Sequence, residues 1–351
     1  MQNRQRMTSL ALVALLPLGA LAACGSDSSS EGAGTEDTAA TEAESLTLYT
    51  GRDEELIAPL IEQFTEDTGI EVEVRYGNSA EMGAQLLEEG GDTPADVFLS
   101  QEVGALGVLE DADLLTPLPD ETLDLVDERY QPGDGNAWVG VTGRSRVIVY
   151  NPELVDEVPE GVLDLTDEQY EGQVAWAPTN AGFQAFITAF RVSQGEEAAR
   201  SWLEAMIENG AQTYEGNTEI LDAVNAGDVG VGLINHYYWA RSKPELGDDL
   251  VAELVFPGGE DPGGLVNATA VGITTTGADN PASQELVDYL LSEAGQTYFV
   301  EETFEYPLVD GIPQPEGVPA LEELEGPQID LTDLASLEDT QAMLSELGLL
   351  T

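Results

Sequence analysis

The sequence predicts an α/β protein of two lobes joined by a hinge with a ligand cleft between them, and three observations carry that reading. Short apolar strands alternate with amphipathic helices from residue 46 to 99, the order expected of a parallel sheet covered by helices. A second series of the same kind runs from residue 147 to 292. A Pro/Gly-rich stretch, 256–264, separates the second unit from the later elements, and two units joined by crossing segments can close on a ligand.

Taken in order, Leu46 to Thr50 (LTLYT) reads as a buried strand. Glu54 to Asp67 carries Leu56, Ile57, Leu60, Ile61 and Phe64 at helical spacing before a stop at Gly69. Ile70 to Tyr76 alternates as a strand does, Ser79 caps a helix through Leu87, and Asp96 to Leu99 is a short apolar strand. The second unit reads as strands at 147–150, 173–177 and 229–234, with helices at 182–193, 196–209 and 220–226. After it come a strand at 270–275 and a helix at 281–292, repeating the α/β pattern. In a parallel sheet the ligand site lies at the carboxyl ends of the strands, which nominates Thr50 to Asp53 and Ser100 to Glu102.

The 68 Asp and Glu against 11 Lys and Arg, a formal charge of −57, exclude a nucleic-acid partner, because phosphate neutralisation needs a basic face. With 42% apolar residues the chain still buries a core, and its 351 residues suggest about two domains. Such an acidic/halophilic surface has two readings. One is adaptation to salt, where a Debye length of roughly 3 Å near 1 M screens the self-repulsion; the other is attraction of a cation.

Residues 1–23 combine Arg4 and Arg6 with an apolar run from Leu10 to Ala23, a signal peptide too short to span a membrane as a helix. It ends in Leu21-Ala22-Ala23-Cys24, which resembles the lipobox of bacterial lipoproteins and implies lipidation of Cys24, the only cysteine. Residues 24–45 hold no aromatic and no large aliphatic residue and read as a lipid-anchored flexible linker. The expected location is therefore extracytoplasmic, anchored to the cell membrane.

Enzymatic chemistry finds little support. The single histidine, His236, has no Gly-x-Ser-x-Gly elbow to partner it, Cys24 belongs to the export signal, and no phosphate-binding glycine motif is present. One Cys and one His exclude a Cys/His zinc site. Among 68 acidic residues a carboxylate pair is uninformative, so a secreted carboxylate-dependent hydrolase stays as a remote alternative.

The unusual segment is VGVGLINHYYWAR, 229–241. Tyr237 and Tyr238 lie about 100° apart on a helix and can converge on one object. Two phenolates suit a hard trivalent cation; the competing reading is that Tyr237, Tyr238 and Trp239 simply pack.

Over residues 46 to 350 the chain resembles the bacterial ferric-ion-binding proteins, the extracytoplasmic receptors of iron(III) ABC importers. The resemblance is carried by LTLYTGRDEEL (46–56), TPADVFLSQE (93–102), residues 125–150, INHYYWAR (234–241), DPGGLVNATAVGI (261–273) and EYPL (305–308). It implies a type II periplasmic-binding-protein fold, with 46–144 plus about 270–316 as lobe 1 and 145–269 plus about 317–351 as lobe 2. It places the family's tyrosine pair on Tyr237 and Tyr238. Asp53 stands at the family's histidine position and Gln101, with Glu102 beside it, at the glutamate position; His236 is off the family's histidine position and reads as a supporting residue. A synergistic anion, phosphate or carbonate, maps to Asn180, Ala181, Gly182, Asn217 and Asn235. A helix N-terminus at 179–182 would favour it physically, although Thr179 or Asn180 also suits a plain helix cap. Arg144 and Arg146 stand out among so few cations, and Arg144 is read as holding the anion or a hinge carboxylate.

The expected function is capture of Fe3+ with an anion and delivery to an ABC permease and its ATPase by a monomeric, non-enzymatic receptor. The alternative is a solute-binding protein for an organic anion or amine, with the aromatic residues stacking on the solute.

Overall fold

The computed structural model describes residues 45–133, 135–327 and 329–350; Cys24, the leader and most of the linker lie outside them. The strands are β1 (Ser45–Thr50), β2 (Glu71–Tyr76), β3 (Val97–Ser100), β4 (Leu115–Thr116), β5 (Trp138–Tyr150), β6 (Val174–Trp176), β7 (Gln212–Thr213), β8 (Val231–Asn235), β9 (Glu253–Val255), β10 (Val266–Thr274) and β11 (Tyr306–Pro307). The α-helices are α1 (Glu54–Thr68), α2 (Ser79–Glu89), α3 (Val103–Asp111), α4 (Asp120–Leu123), α5 (Ala181–Gln194), α6 (Glu196–Glu208), α7 (Asn217–Ala226), α8 (His236–Leu246), α9 (Pro281–Leu291), α10 (Glu293–Tyr298) and α11 (Leu337–Glu346).

The predicted alternation holds in the first half, where β1 pairs in parallel with both β2 and β3. The sheet as a whole is mixed, which corrects the all-parallel expectation: β10 runs antiparallel between β3 and β5, and β5 antiparallel to β8. The reason lies in the path of the chain. β5 leaves the first half and β10 re-enters it, so each meets strands running the other way. The α2 boundary also differs, because Asn78, not Ser79, caps it by accepting the amide of Glu81.

β5 is the element that joins the halves. Its first part pairs with β10 as far as Ser145, opposite Val266, and from Arg146, opposite Asn235, it pairs with β8. Strand periodicity then sorts the core of the second half. Ile148, Leu233, Val174 and Trp176 pack with α5, α6 and Met343 and Leu344 of α11. Val147, Val149, Ile234 and Ala175 pack with α7 on the opposite face. The first half has one cluster around Leu48, Phe98, Trp138 and Val271, which also takes in Leu331 and Leu334. Among the described residues no helix is long and apolar enough to cross a membrane.

Candidate metal and anion site

The carboxyl ends of β1 and β3 carry Asp53, Gln101 and Glu102 to one edge of the first half. Asp53 is exposed at the start of α1 and its side chain caps nothing. Gln101 is half-buried, with its amide held by Ser79 Oγ at 2.9 Å. Glu102 is buried, ion-paired with Arg144 at 3.0 Å and hydrogen-bonded by Asn267 Nδ2.

In the second half β8 runs directly into α8, which places Tyr237 and Tyr238 in the first turn of an eleven-residue helix. Their rings stack at 4.4 Å with an interplanar angle of 28°. Burial pushes the Tyr237 phenol well above the usual tyrosine value, and Tyr238 adds to this, while Arg144 pulls the other way. The Tyr237 phenol is therefore held in its protonated form until a stronger Lewis acid than the proton replaces it. Trp239 is fixed elsewhere, donating from Nε1 to the Ala252 carbonyl at 2.7 Å and lying under Lys243.

His236 begins the same helix and is fully buried, stacked on Tyr306 at 4.4 Å. Among the described residues no three His, Cys, Asp or Glu side chains gather into a metal cage.

Beside the tyrosines, β6 leads through Thr179 into α5. Asn180 caps α5 by accepting the Phe183 amide at 3.2 Å, and the amides of Ala181 and Gly182 find no acceptor among the described residues. A Cβ at residue 182 would sit 3.1 Å from Asn235 Nδ2 and 3.2 Å from Asn180 Oδ1, so glycine keeps this helix end open. Asn217 and Asn235 are both buried, and the Asn235 amide donates to Asn217 Oδ1 at 3.1 Å. Glu102, Arg144, Arg146, Gly182, Asn235 and Asn267 line one small pocket. It shares Glu102 and Asn267 with a neighbouring cavity of ≈ 380 Å³, walled by Asn78 and Ser79 from the first half and by Thr179, Asn180 and Ala181 from the second.

The structure thus brings Tyr237, Tyr238, Asn180, Gly182, Asn217, Asn235, Arg144 and Glu102 into one neighbourhood. No hydrogen bond or ion pair joins the side chains of Asp53 or Gln101 to the tyrosines among the described residues.

Residues 92–325 match the bacterial extracellular solute-binding proteins. The chain belongs to that family. The Fe(3+)-binding periplasmic protein of Serratia marcescens is 33% identical over 350 residues, 98% of this chain and 99% of its own length. The major ferric iron-binding protein of Neisseria meningitidis serogroup B is 31% identical over 317 residues, 89% of this chain and 96% of its own. Iron-bound HitA of Pseudomonas aeruginosa superposes with a TM-score of 0.81 at 32% identity, over 87% of this chain and 99% of HitA. The fold is that of the type II periplasmic binding proteins.

Three features of this solute-binding protein escaped the sequence reading. Asn267 reaches Glu102 across 165 positions. Arg146, not Arg144, contacts Asn217 and Asn235. Arg52, next to Asp53, is buried in an ion pair with Glu305 at 2.7 Å, donates to Thr269 Oγ1 at 3.0 Å, and shares Glu305 with Thr142. The signal available for Arg52 and Arg146 was their rarity in so acidic a chain.

Proposed function

We propose that this protein captures Fe3+ together with an anion in the cleft and delivers it to the permease and ATPase of an ABC importer. The observation that carries the reading is the stacked pair Tyr237 and Tyr238 at the N-terminus of α8, beside the open N-terminus of α5. Near-full-length likeness to proteins named for ferric iron supports it.

The phenols of Tyr237 and Tyr238 are the ligands we assign to the second half, and Asp53, with Gln101 or Glu102, those of the first. The anion sits at Asn180, Ala181 and Gly182 with Asn217 and Asn235 around it. In this reading Arg144 holds Glu102 in place, residues 46–144 with about 270–316 move against 145–269 with about 317–351, and β5 bends between them. The receptor works as a monomer tethered outside the membrane through lipidated Cys24. It transports and does not transform its cargo.

Titration of the metal-free protein with Fe3+ in phosphate or bicarbonate tests this. A visible tyrosine-to-iron charge-transfer band is expected in the wild type and absent in the Tyr237→Phe, Tyr238→Phe double variant. A colourless wild-type protein, or an unchanged double variant, would overturn the assignment.

A further inference from the structure

We infer that Arg146, and not Arg144, supplies the positive charge that holds the anion, which deepens the proposed capture of an anion with the metal and rests on that reading. Two guanidinium groups and one carboxylate are buried around the same small pocket. Arg144 takes the carboxylate: its Nη1 lies 3.0 Å from Glu102, and its Nη2 donates to the Gln101 and Ala268 carbonyls.

Arg146 is left with neutral acceptors only. Its Nη1 reaches Asn217 Oδ1 and Asn235 Oδ1 at 3.4 Å each, its Nη2 reaches the Leu233 carbonyl at 3.2 Å, and its Nε has no partner. Two of these bonds are long for hydrogen bonds to a cation. The faces of Phe183 and Phe186, 5.6 and 5.9 Å from its guanidinium carbon, complete the enclosure. A buried charge with no counter-ion is costly, and side chains that bear one are normally paired. Burial accordingly lowers the pKa of Arg146 to about 10, which leaves it charged at neutral pH.

The same guanidinium lies 3.7 Å from where a Cβ on Gly182 would be, at the bare amides of α5. The missing counter-ion and the open helix end therefore point at one place. The ligand class is a small oxyanion able to accept from a guanidinium fork and from two backbone amides together.

The test uses metal-free protein and follows its thermal unfolding midpoint against inorganic phosphate and against bicarbonate. At least one of them should stabilise the wild type. Arg146→Gln should weaken that anion by about 10-fold or more, and Arg146→Lys should recover most of the response. Asn217→Asp places a carboxylate beside Arg146 and should abolish the anion response in a protein that stays folded. An undiminished anion response in Arg146→Gln or Asn217→Asp, or no response to either anion in the wild type, would overturn the inference. Because no iron is present, the outcomes separate: an Arg146-dependent anion response without Fe3+ uptake sinks the iron reading alone, whereas normal uptake with an Arg146-independent response sinks this one alone.

Discussion

The amide of Ser145 donates to Nδ1 of His236 at 3.2 Å, so the other ring nitrogen carries the proton and donates to the Phe304 carbonyl at 3.0 Å. Ser145 sits where β5 changes partners, and His236 begins the helix that bears the tyrosines. The neutral imidazole thus ties the joint between the halves to the turn that bears Tyr237 and Tyr238.

Burial holds the His236 pKa at about 4, against 6.5 in the unfolded chain. Between those values the unfolded chain binds the extra proton, so this contribution to stability is present above about pH 6.5 and lost as the pH falls to about 4. The loss amounts to about 3 kcal/mol at most. Urea midpoints measured from pH 7 to 4 should fall, and His236→Gln should flatten that dependence.

Fe3+ uptake should release a proton from each phenol, since the Tyr237 phenol is held protonated by its burial. Apparent affinity is expected to drop by about 100-fold for each pH unit when both phenols ionise on binding, and by about 10-fold in either single Phe variant. Competition against citrate at pH 6, 7 and 8 measures the slope.

The Arg52–Glu305 pair is fully buried, so removing one partner strands a charge. Glu305→Gln should destabilise by about 3–5 kcal/mol, and a double change of Arg52→Met with Glu305→Leu by clearly less. A double-mutant cycle in urea gives the coupling.

Gly182→Ala should leave the fold intact, with stability changed by no more than about 1 kcal/mol, because alanine favours a helix while its Cβ meets Asn235 and Asn180. Oxyanion binding should weaken by about 10-fold. Thermal shift with phosphate separates the two effects.

A formal charge of −57 predicts that salt stabilises. The unfolding midpoint should climb steadily from 0.1 toward about 1 M NaCl as self-repulsion is screened. A flat response would remove the salt-adapted reading of the surface.

The local rules read well from sequence wherever one period governed. Leu56, Ile57, Leu60, Ile61 and Phe64 are all buried on α1, as their spacing required. The junction of an apolar strand with Tyr237 and Tyr238 was likewise visible. What sequence could not reveal was partner exchange. Arg144 and Arg146 are two apart on one strand and thus share a face, so nothing local distinguishes them. The distinction arises because β5 stops pairing with β10 and begins pairing with β8 between them, which gives Arg144 the partner Asn267 and Arg146 the partner Asn235. The first part of β5 also went unread, since Gly140, Thr142, Gly143 and Arg144 are buried by neighbours remote in sequence.

The place of β10 also dictates an order of events. It fills the middle of the first sheet, hydrogen-bonded to β3 on one side and β5 on the other, yet it is not complete until Thr274. An N-terminal fragment ending before it would leave Leu99 and Val139 facing an empty slot. The first half therefore cannot complete its sheet until residues 270–273 close onto 97–100, a pairing that spans most of the chain.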